Sequence, residues 1–397
     1  MLSGWMSFFQ TFGTDCRMLQ PAVRQFHESF KIVDDPRVKG RSVHSLQSIL
    51  FIIVSAVIAN ADGPSEIESF AKTRKDWLEK FIDLDDGIPS HDTIGRILAM
   101  IKPIQFQTAL IEWVQRLRAG KDTDAPKLIQ IDGKTSRGSY TNESKSNALH
   151  IVGAWASEHG LALGQVAVDS KTNEITVIPQ LIDLLDIEGA IVTIDAMGCQ
   201  KSIARKIIEA KGDYIFAVKD NHPKLSVAIE QYFVSAHEEG LCESGIRSQT
   251  VHGKSRGRVE TRFYAVGKIP ASLRELTDQW PGAISIGQAI TTFERSGEET
   301  TEVRYFISSR APKVSEFAKS IRSHWSIESM HWVLDVVFHE DASRIRTGHA
   351  IENMSFTRRF VTSLLKQDTS KVSLKGKRKK AGWNTDFLEI LLFGLTI

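Results

Sequence analysis

The stretch Ala190–Gln200, AIVTIDAMGCQ, is a run of β-forming residues that stops abruptly at an aspartate, Asp195. The same thing happens earlier, where Lys127–Gly138, KLIQIDGKTSRG, carries an apolar run into Asp132, followed by Gly133 and a polar Lys-Thr-Ser-Arg segment. Short runs rich in Ile and Val, bounded by turn-forming and polar residues, read as buried strands. Either aspartate taken alone reads as a turn former or helix cap, because its carboxylate bonds readily to nearby backbone. As a pair they raise a different prospect: two neighbouring strands would deliver two carboxylates to one sheet edge.

The order of elements decides that they are neighbours. After a polar linker, Ala119–Pro126 (AGKDTDAP), strand-like runs follow at Leu128–Asp132, Ala148–Ala156 and Leu161–Val168, with SEHG as a hairpin turn between the last two. Helices and strands then alternate: EITVIPQLIDLLDIEG is helical, AIVTIDAM a strand, CQKSIARKIIEAKG a helix stopped by Gly212, and DYIFAVKDN a strand. This β-β-β-α-β-α-β order is that of a ribonuclease-H-like domain, in which the first and fourth strands lie side by side. Asp132 and Asp195, 195 − 132 = 63 residues apart, then meet at one edge. The strand-rich segment from about 242 to 303 reads as a β-rich insertion, and its first alternating stretch carries Lys254, Arg256, Arg258 and Arg262.

From Val23 to Leu117 the apolar spacing is helical. Its most apolar window, Leu46–Ala61, is interrupted by Gln47, Ser48 and Ser55 and is shorter than the ~18 to 20 residues of a membrane span, so a buried helix is expected. No basic stretch precedes the apolar residues of the N-terminus, so no export is implied. A capped helix, Thr93–Ile101 after Ser90, carries Arg96 and resembles a helix-turn-helix layout, although ordinary packing accounts for such helices more often. The fold class is therefore α/β: an all-helical domain over residues 1–118, which the helix-turn-helix layout makes a candidate for DNA binding, a ribonuclease-H-like domain over 127–365, and a basic segment over 366–397.

With 397 residues, 42% hydrophobic and 25% charged, the chain is long enough for two or three domains and is not disordered; its net charge of +2 points to no partner by itself. The distribution says more. KQDTSKVSLKGKRKK, Lys366–Lys380, is opposed only by Asp368 and forms a face suited to a phosphate backbone, with Lys377 and Arg378 in its densest part. Cys16, Cys199 and Cys242 are widely spaced and odd in number, which fits free thiols in a reducing, cytoplasmic setting.

A third carboxylate is expected from the late helix, read as one element from about Val314 to Phe338. In IRSHWSIESMHWVLDVVFHEDASRIR, Glu328 sits among aromatic and apolar residues, and carboxylates rarely occupy such settings without a partner. Asp335, Glu340 and Asp341 are its rivals, and His324 and His331 are alternative ligands that a Trp-rich helix more often packs. Three clustered carboxylates repel unless cations neutralise them, and Mg²⁺ (or Mn²⁺) prefers such oxygen ligands. Two such ions, ~3.5 to 4 Å apart, support phosphodiester chemistry.

IDGKTSRGS, the long block from NEITVIPQL to FAVKDNH, HWSIESMHWVLDVVFHEDASRIR and KGKRKKAGWNTDFL together resemble the DDE transposases of the insertion-sequence group that includes the H-repeat-associated proteins. DDPRVKGRSVHSL and IPSHDTIGRIL resemble that group's helical accessory domain, so the likeness runs from about Phe30 to the C-terminus. It implies a bacterial enzyme with Asp132, Asp195 and Glu328 as catalytic and metal-binding triad, cleaving DNA at element ends and transferring the strand into target DNA. A repeat-associated nuclease without transposition and a non-catalytic DNA-binding relic are the alternatives. Related transposases often carry a Tyr, Arg, Glu, Lys pattern around the glutamate; here His324 and Asp335 occupy the positions four before and seven after it. Expected DNA contacts are Lys134 and Arg137 beside the first acid, Lys219 and Asn221 at the end of the fifth strand, Arg96, Lys377 and Arg378. Pairing of two element ends leads to the expectation of a homodimer on nucleoid DNA.

Overall fold

The computed structural model describes residues 16–38, 40, 42–118, 128–139, 148–169, 173–255, 258–295 and 298–394. Arg256 falls outside them. Strands β1 (Leu128–Thr135), β2 (His150–Ala156), β3 (Leu161–Val168), β4 (Ile191–Ile194), β5 (Asp213–Val218), β6 (Arg247–Ser255), β7 (Arg258–Lys268), β8 (Ser285–Arg295) and β9 (Glu298–Ser308) form one nine-stranded sheet in the order β3-β2-β1-β4-β5-β9-β8-β7-β6. β1 runs parallel to β4, and β4 to β5, whereas β2 and β3 are antiparallel additions on the other side of β1. The adjacency of first and fourth strands is thus observed.

The β-rich insertion differs from a separate layer. Its strands are antiparallel, and β9 pairs with β5 through Ile215–Ser308 to Val218–Tyr305, so the insertion lengthens the central sheet and ends five residues beyond Val303. The antiparallel pairing satisfies the edge of β5 that would otherwise present unpaired backbone groups.

Helices α1 (Cys16–Phe30), α2 (Leu46–Ile58), α3 (Pro64–Thr73), α4 (Lys75–Leu78), α5 (His91–Met100) and α6 (Pro103–Arg118) precede the sheet. In α2 every residue but Gln47 is buried, and Ser45 caps it by accepting from the Ser48 N–H, as an apolar window with an N-terminal Ser predicts. Helices α7 (Glu174–Asp183), α8 (Lys201–Glu209) and α9 (Pro223–Glu239) cover one sheet face, where Ile129, Ile131, Val192, Ile194 and Phe216 are buried. After the short α10 (Arg274–Thr277), α11 (Val314–His324) covers the other face, packing Phe317 and Ile321 against Leu128, Ile191, Ile215 and Phe306.

The expected single helix from 314 to 338 is two. α11 ends at His324, and α12 (Ser326–Val337) begins after Trp325. The reason lies in the insertion: Arg262 of β7 and Arg304 of β9 place their guanidinium carbons 5.6 and 5.1 Å from the Trp325 ring centroid, cation–π contacts that hold the ring at the junction.

Helices α13 (Ala350–Gln367), α14 (Leu374–Trp383) and α15 (Thr385–Phe393) return to the N-terminal ones. Phe26, Phe51 and Trp113 share a single core with Val333, Phe338, Phe360, Leu388 and Phe393, and the Trp113 and Phe360 rings stack with centroids 5.6 Å apart. The two ends of the chain therefore build one helical body beside the sheet. Among the described residues no helix is long and apolar enough to cross a membrane.

Candidate active site

The parallel pairing of β1 with β4 places Ile131 opposite Ile194, and the residue that follows each in the chain is an acid, Asp132 within β1 and Asp195 just past the end of β4. Neighbouring strands lie about 4.8 Å apart, so the register alone makes the two carboxylates neighbours. Asp132 accepts from the Gly133 N–H at 2.9 Å, and Asp195 from the Gly198 N–H at 3.1 Å. Burial, followed by the Asp195 charge, pushes the Asp132 carboxyl up to about 7, with Glu174 and Glu328 adding to the rise. Burial likewise raises Asp195, against the Gly198 and Met197 N–H groups and the Lys219 ammonium, which favour its ionised form.

The loop after Asp195 is held from the end of β5. Asn221 Nδ2 donates to the Ala196 carbonyl at 2.6 Å, and His222 Nε2 lies 2.7 Å from the Cys199 carbonyl. Asn221, expected to touch DNA, thus has its amide engaged in fixing the turn of the second acid. Lys219 is exposed beside it.

Glu328 lies in the first turn of α12 and is exposed, contrary to the buried setting expected for it. Its neighbours Ile327 and Met330 take the buried positions, so the carboxylate points away from the core while still lying near enough to act on Asp132. The chain on either side of Glu328 is pinned to the strands carrying the other acids, at the end of α11 and within α12. Upstream, His324 Nδ1 meets Thr193 Oγ1 at 3.0 Å, two residues before Asp195. Downstream, Lys134 Nζ donates to Asp335 Oδ1 at 2.7 Å, two residues after Asp132. Burial lowers His324 to about 4 and His331 to about 3, so both rings are neutral at pH 7; His331 Nδ1 stands 3.8 Å from Asp132 Oδ2.

The rivals of Glu328 are engaged elsewhere. Asp335 and Asp341 face Lys134, at 2.7 and 3.5 Å, and Glu340, 1% exposed, lies among Arg358, Arg359 and the Ser355 hydroxyl. Lys134, only 9% exposed, is correspondingly committed to these acids and is not a free phosphate ligand. Arg137 differs: it is 84% exposed, with its Nε 3.8 Å from Asp341. Arg96 is also exposed, on the outer face of α5, whose cap Ser90 accepts from the Thr93 N–H.

The basic C-terminal run is not one solvated face. Arg378 is 0% exposed and donates to the carbonyls of Val57, Ala61 and Val337 and to Asp62 Oδ1 at 2.8 Å; Lys377, 5% exposed, bonds to the Leu365 and Asp368 carbonyls. Both are spent on closing the helical body, Arg378 at the C-terminal ends of α2 and α12 and Lys377 at that of α13. Lys366, Lys371, Lys375, Lys379 and Lys380 are the exposed basic members.

One neighbour of the acids was missed. Glu174, at the start of α7, accepts from His150 Nε2 at 2.5 Å and adds to the rise of both Asp132 and Asp195. A glutamate in a first helical turn is ordinary in sequence; the clue available was Gly133, directly after Asp132.

The donor chemistry fits a hard divalent cation. The acids are all-oxygen groups close enough to disfavour one another's charge, the situation such a cation relieves. Among the described residues, no three His, Cys, Asp or Glu side chains stand close enough to hold a metal ion as a closed set.

The family described as Transposase DDE domain matches residues 123–364, and one described as DDE_Tnp_1-associated matches 27–114. "Putative transposase YncI" of Escherichia coli O157:H7 is 40% identical over 376 residues, covering 94% of this chain and 95% of that protein. "H repeat-associated putative transposase YhhI" of Escherichia coli K12 is 38% identical over 378 residues, covering 94% and 98%. A solved piggyBac transposase synaptic complex with hairpin DNA matches at 8% identity with a TM-score of 0.39, over 97% of this chain and 79% of that one, too low to carry an argument.

Proposed function

We infer, for a chain that belongs to the DDE transposase family, that it cuts DNA at the ends of a mobile element and joins the freed 3′-hydroxyl to target DNA. The observation that carries this reading is the register of β1 on β4, which brings Asp132 and Asp195 to one sheet edge with Glu328 of α12 acting on the same site. The strand order supports the ribonuclease-H-like description of the domain over 127–365, interrupted by the insertion.

Asp132, Asp195 and Glu328 would hold Mg²⁺ or Mn²⁺. When bound, such ions supply charge stabilisation for the attacking and leaving oxygens of phosphoryl transfer. The protein's own part is placement. Asp132 and Asp195 are fixed by strand register and by the Gly133 and Gly198 N–H groups, and Glu328 by the His324–Thr193 and Lys134–Asp335 contacts on either side of it. Lys219 and Arg137, exposed on either side, would bind the phosphates flanking the scissile bond. Arg96 and the exposed C-terminal lysines would add contacts farther along a duplex, and a homodimer would hold two ends together.

The test uses linear DNA carrying the sequences on both sides of the gene, searched for terminal inverted repeats, with Mg²⁺ and a supercoiled target. Nicking at the repeat ends and covalent joining to target, both lost in Asp195→Asn, would support transposition. Nicking without joined product would leave a nuclease, and cleavage undiminished in Asp195→Asn would sink the assignment.

A further inference from the structure

A second, smaller constellation touches the same edge from the opposite sheet face. His150 begins β2 and pairs in register with Thr135 of β1; its Nδ1 lies 2.8 Å from Thr135 Oγ1 and its Nε2 2.5 Å from Glu174 Oε1. Because a carboxylate only accepts, Nε2 carries the proton, and a neutral ring leaves Nδ1 to accept from the threonine hydroxyl. Glu174 is thereby held in one orientation at the first position of α7, whose N-cap Asn173 accepts from the Thr176 N–H.

The pair lies against the backbone of the residue that follows Asp132. A Cβ on Gly133 would come within 2.6 Å of both the Glu174 carboxyl carbon and His150 Nε2. The φ of Gly133 is not one that demands glycine, so what requires glycine here is space for the Glu174–His150 pair. Space of this kind, next to the first acid and shared by two polar side chains from different elements, is not needed for packing an apolar core. Glu174 also acts electrostatically on both Asp132 and Asp195, which places its charge at the centre.

We propose that Glu174, oriented by His150 and given room by Gly133, is a positioning residue of the catalytic centre, supplying a fourth carboxylate that strengthens the hold of Asp132, Asp195 and Glu328 on a divalent cation. The inference rests on the metal-dependent reading above. Outer-shell carboxylates and the histidines that orient them typically tune metal affinity about 10- to 100-fold.

The experiment is Mn²⁺ titration of the full chain by calorimetry, without DNA and with a bound duplex, alongside thermal melting in EDTA. Glu174→Gln keeps shape and removes charge; it should weaken Mn²⁺ binding about tenfold while the melting temperature in EDTA stays level or rises, since a repelling charge is gone. His150→Gln should give a smaller weakening, and Gly133→Ala should reproduce Glu174→Gln by pushing the carboxylate aside. Asp132→Asn serves as the reference for loss of a direct ligand. If the wild type binds Mn²⁺, Asp132→Asn abolishes binding and Glu174→Gln matches the wild type within twofold, the role of Glu174 is overturned while the metal centre stands. If the wild type binds no Mn²⁺ in either condition, both fall together. A melting temperature for Glu174→Gln that drops in EDTA, with unchanged affinity, would assign the pair to folding alone and equally overturn the proposal.

Discussion

Lys134 Nζ lies 2.7 Å from Asp335 Oδ1, and this one ion pair ties the strand that bears Asp132 to the helix that bears Glu328. Lys134 stands two residues after Asp132, and Asp335 two helical turns after Glu328. The relative placement of the first and third acids is thus set by a charge pair that is largely withdrawn from water, where electrostatic attraction is strong and loss of one partner is costly.

The pair is asymmetric, and so should its mutants be. Lys134 faces Asp335, Asp341 and Glu340 at 2.7, 3.5 and 4.0 Å, whereas Asp335 can be lost with Asp341 still in place. Lys134→Met should therefore cost about 2 to 3 kcal/mol of stability and reduce cleavage more than tenfold, while Asp335→Asn costs roughly half as much free energy. Denaturant unfolding and single-turnover cleavage of both variants check this. Equal losses would mean that the Asp335 contact alone holds the helix.

The acids themselves make a prediction about pH. The Asp132 carboxyl sits at about 7 in the folded chain, against an unfolded value of about 3.9. Between these values the folded state binds a proton that the unfolded state has released, so without divalent ions stability falls as pH rises from about 4 through 7. Asp132→Asn should flatten this fall, leaving the share that the raised Asp195 contributes, and should be more stable than the wild type at pH 8 in EDTA by on the order of 2 to 3 kcal/mol after allowance for the partial exposure of the carboxylate. The same variant should be inactive with Mg²⁺. Parallel stability curves for the two proteins between pH 5 and 8 would refute the repulsion inferred at the site.

The C-terminal run separates into two kinds of basic residue that point substitutions can distinguish. Lys375→Ala and Lys379→Ala, at exposed positions, should weaken binding to all duplexes and lower the slope of log affinity against log salt by about 0.9 per lost phosphate contact. Arg378→Met should leave that slope alone and destabilise the protein by about 3 kcal/mol or more, because four carbonyl or carboxylate partners lose their donor in the interior. Fluorescence anisotropy across a salt series, with melting curves, reads both. A reduced slope in Arg378→Met would return that residue to the DNA surface.

Much of this site was legible because strand ends are local signals. IQID and VTID each show an apolar run halted by an acid, and the alternation of elements between them implies that the runs are neighbours, which the register confirms. Glu328 was singled out for a buried aromatic setting that it does not have: aromatic neighbours in sequence alternate around a helix, so Ile327 and Met330 turn inward while Glu328 and Trp332 turn outward. The break at Trp325 depends on Arg262 and Arg304, which come from distant strands, and no local spacing announces it. Arg378 is the extreme case. Its neighbours Lys375, Lys379 and Lys380 make a solvated reading natural, and only the carbonyls of Val57 and Ala61, more than 300 residues earlier, explain its burial. Lys134 misled in the same manner, since its partners lie on and just after α12.

The last prediction concerns which part reads the DNA sequence. All three acids follow Lys127 and the capped α5 precedes it, so a division of labour suggests a truncation experiment, but the shared core argues against using one. Phe26, Phe51 and Trp113 are packed with Phe360, Leu388 and Phe393, and each large apolar side chain uncovered costs about 1.5 to 3 kcal/mol. A fragment beginning at Lys127 should therefore aggregate or lose cooperative melting instead of retaining nicking, an outcome that sedimentation and calorimetry would reveal. Sequence reading is better tested in the full chain through Arg96, which is exposed on α5 and bonded only weakly to Thr93 at 3.3 Å. If α5 enters a major groove, Arg96→Ala should lower affinity for element-end duplexes taken from the gene's flanks by about tenfold while random duplexes at the same salt lose little, since base contacts discriminate and phosphate contacts do not. Equal loss on both duplexes would make Arg96 a backbone contact and assign base reading to another element, with the helical body serving to hold α12 and its glutamate in place.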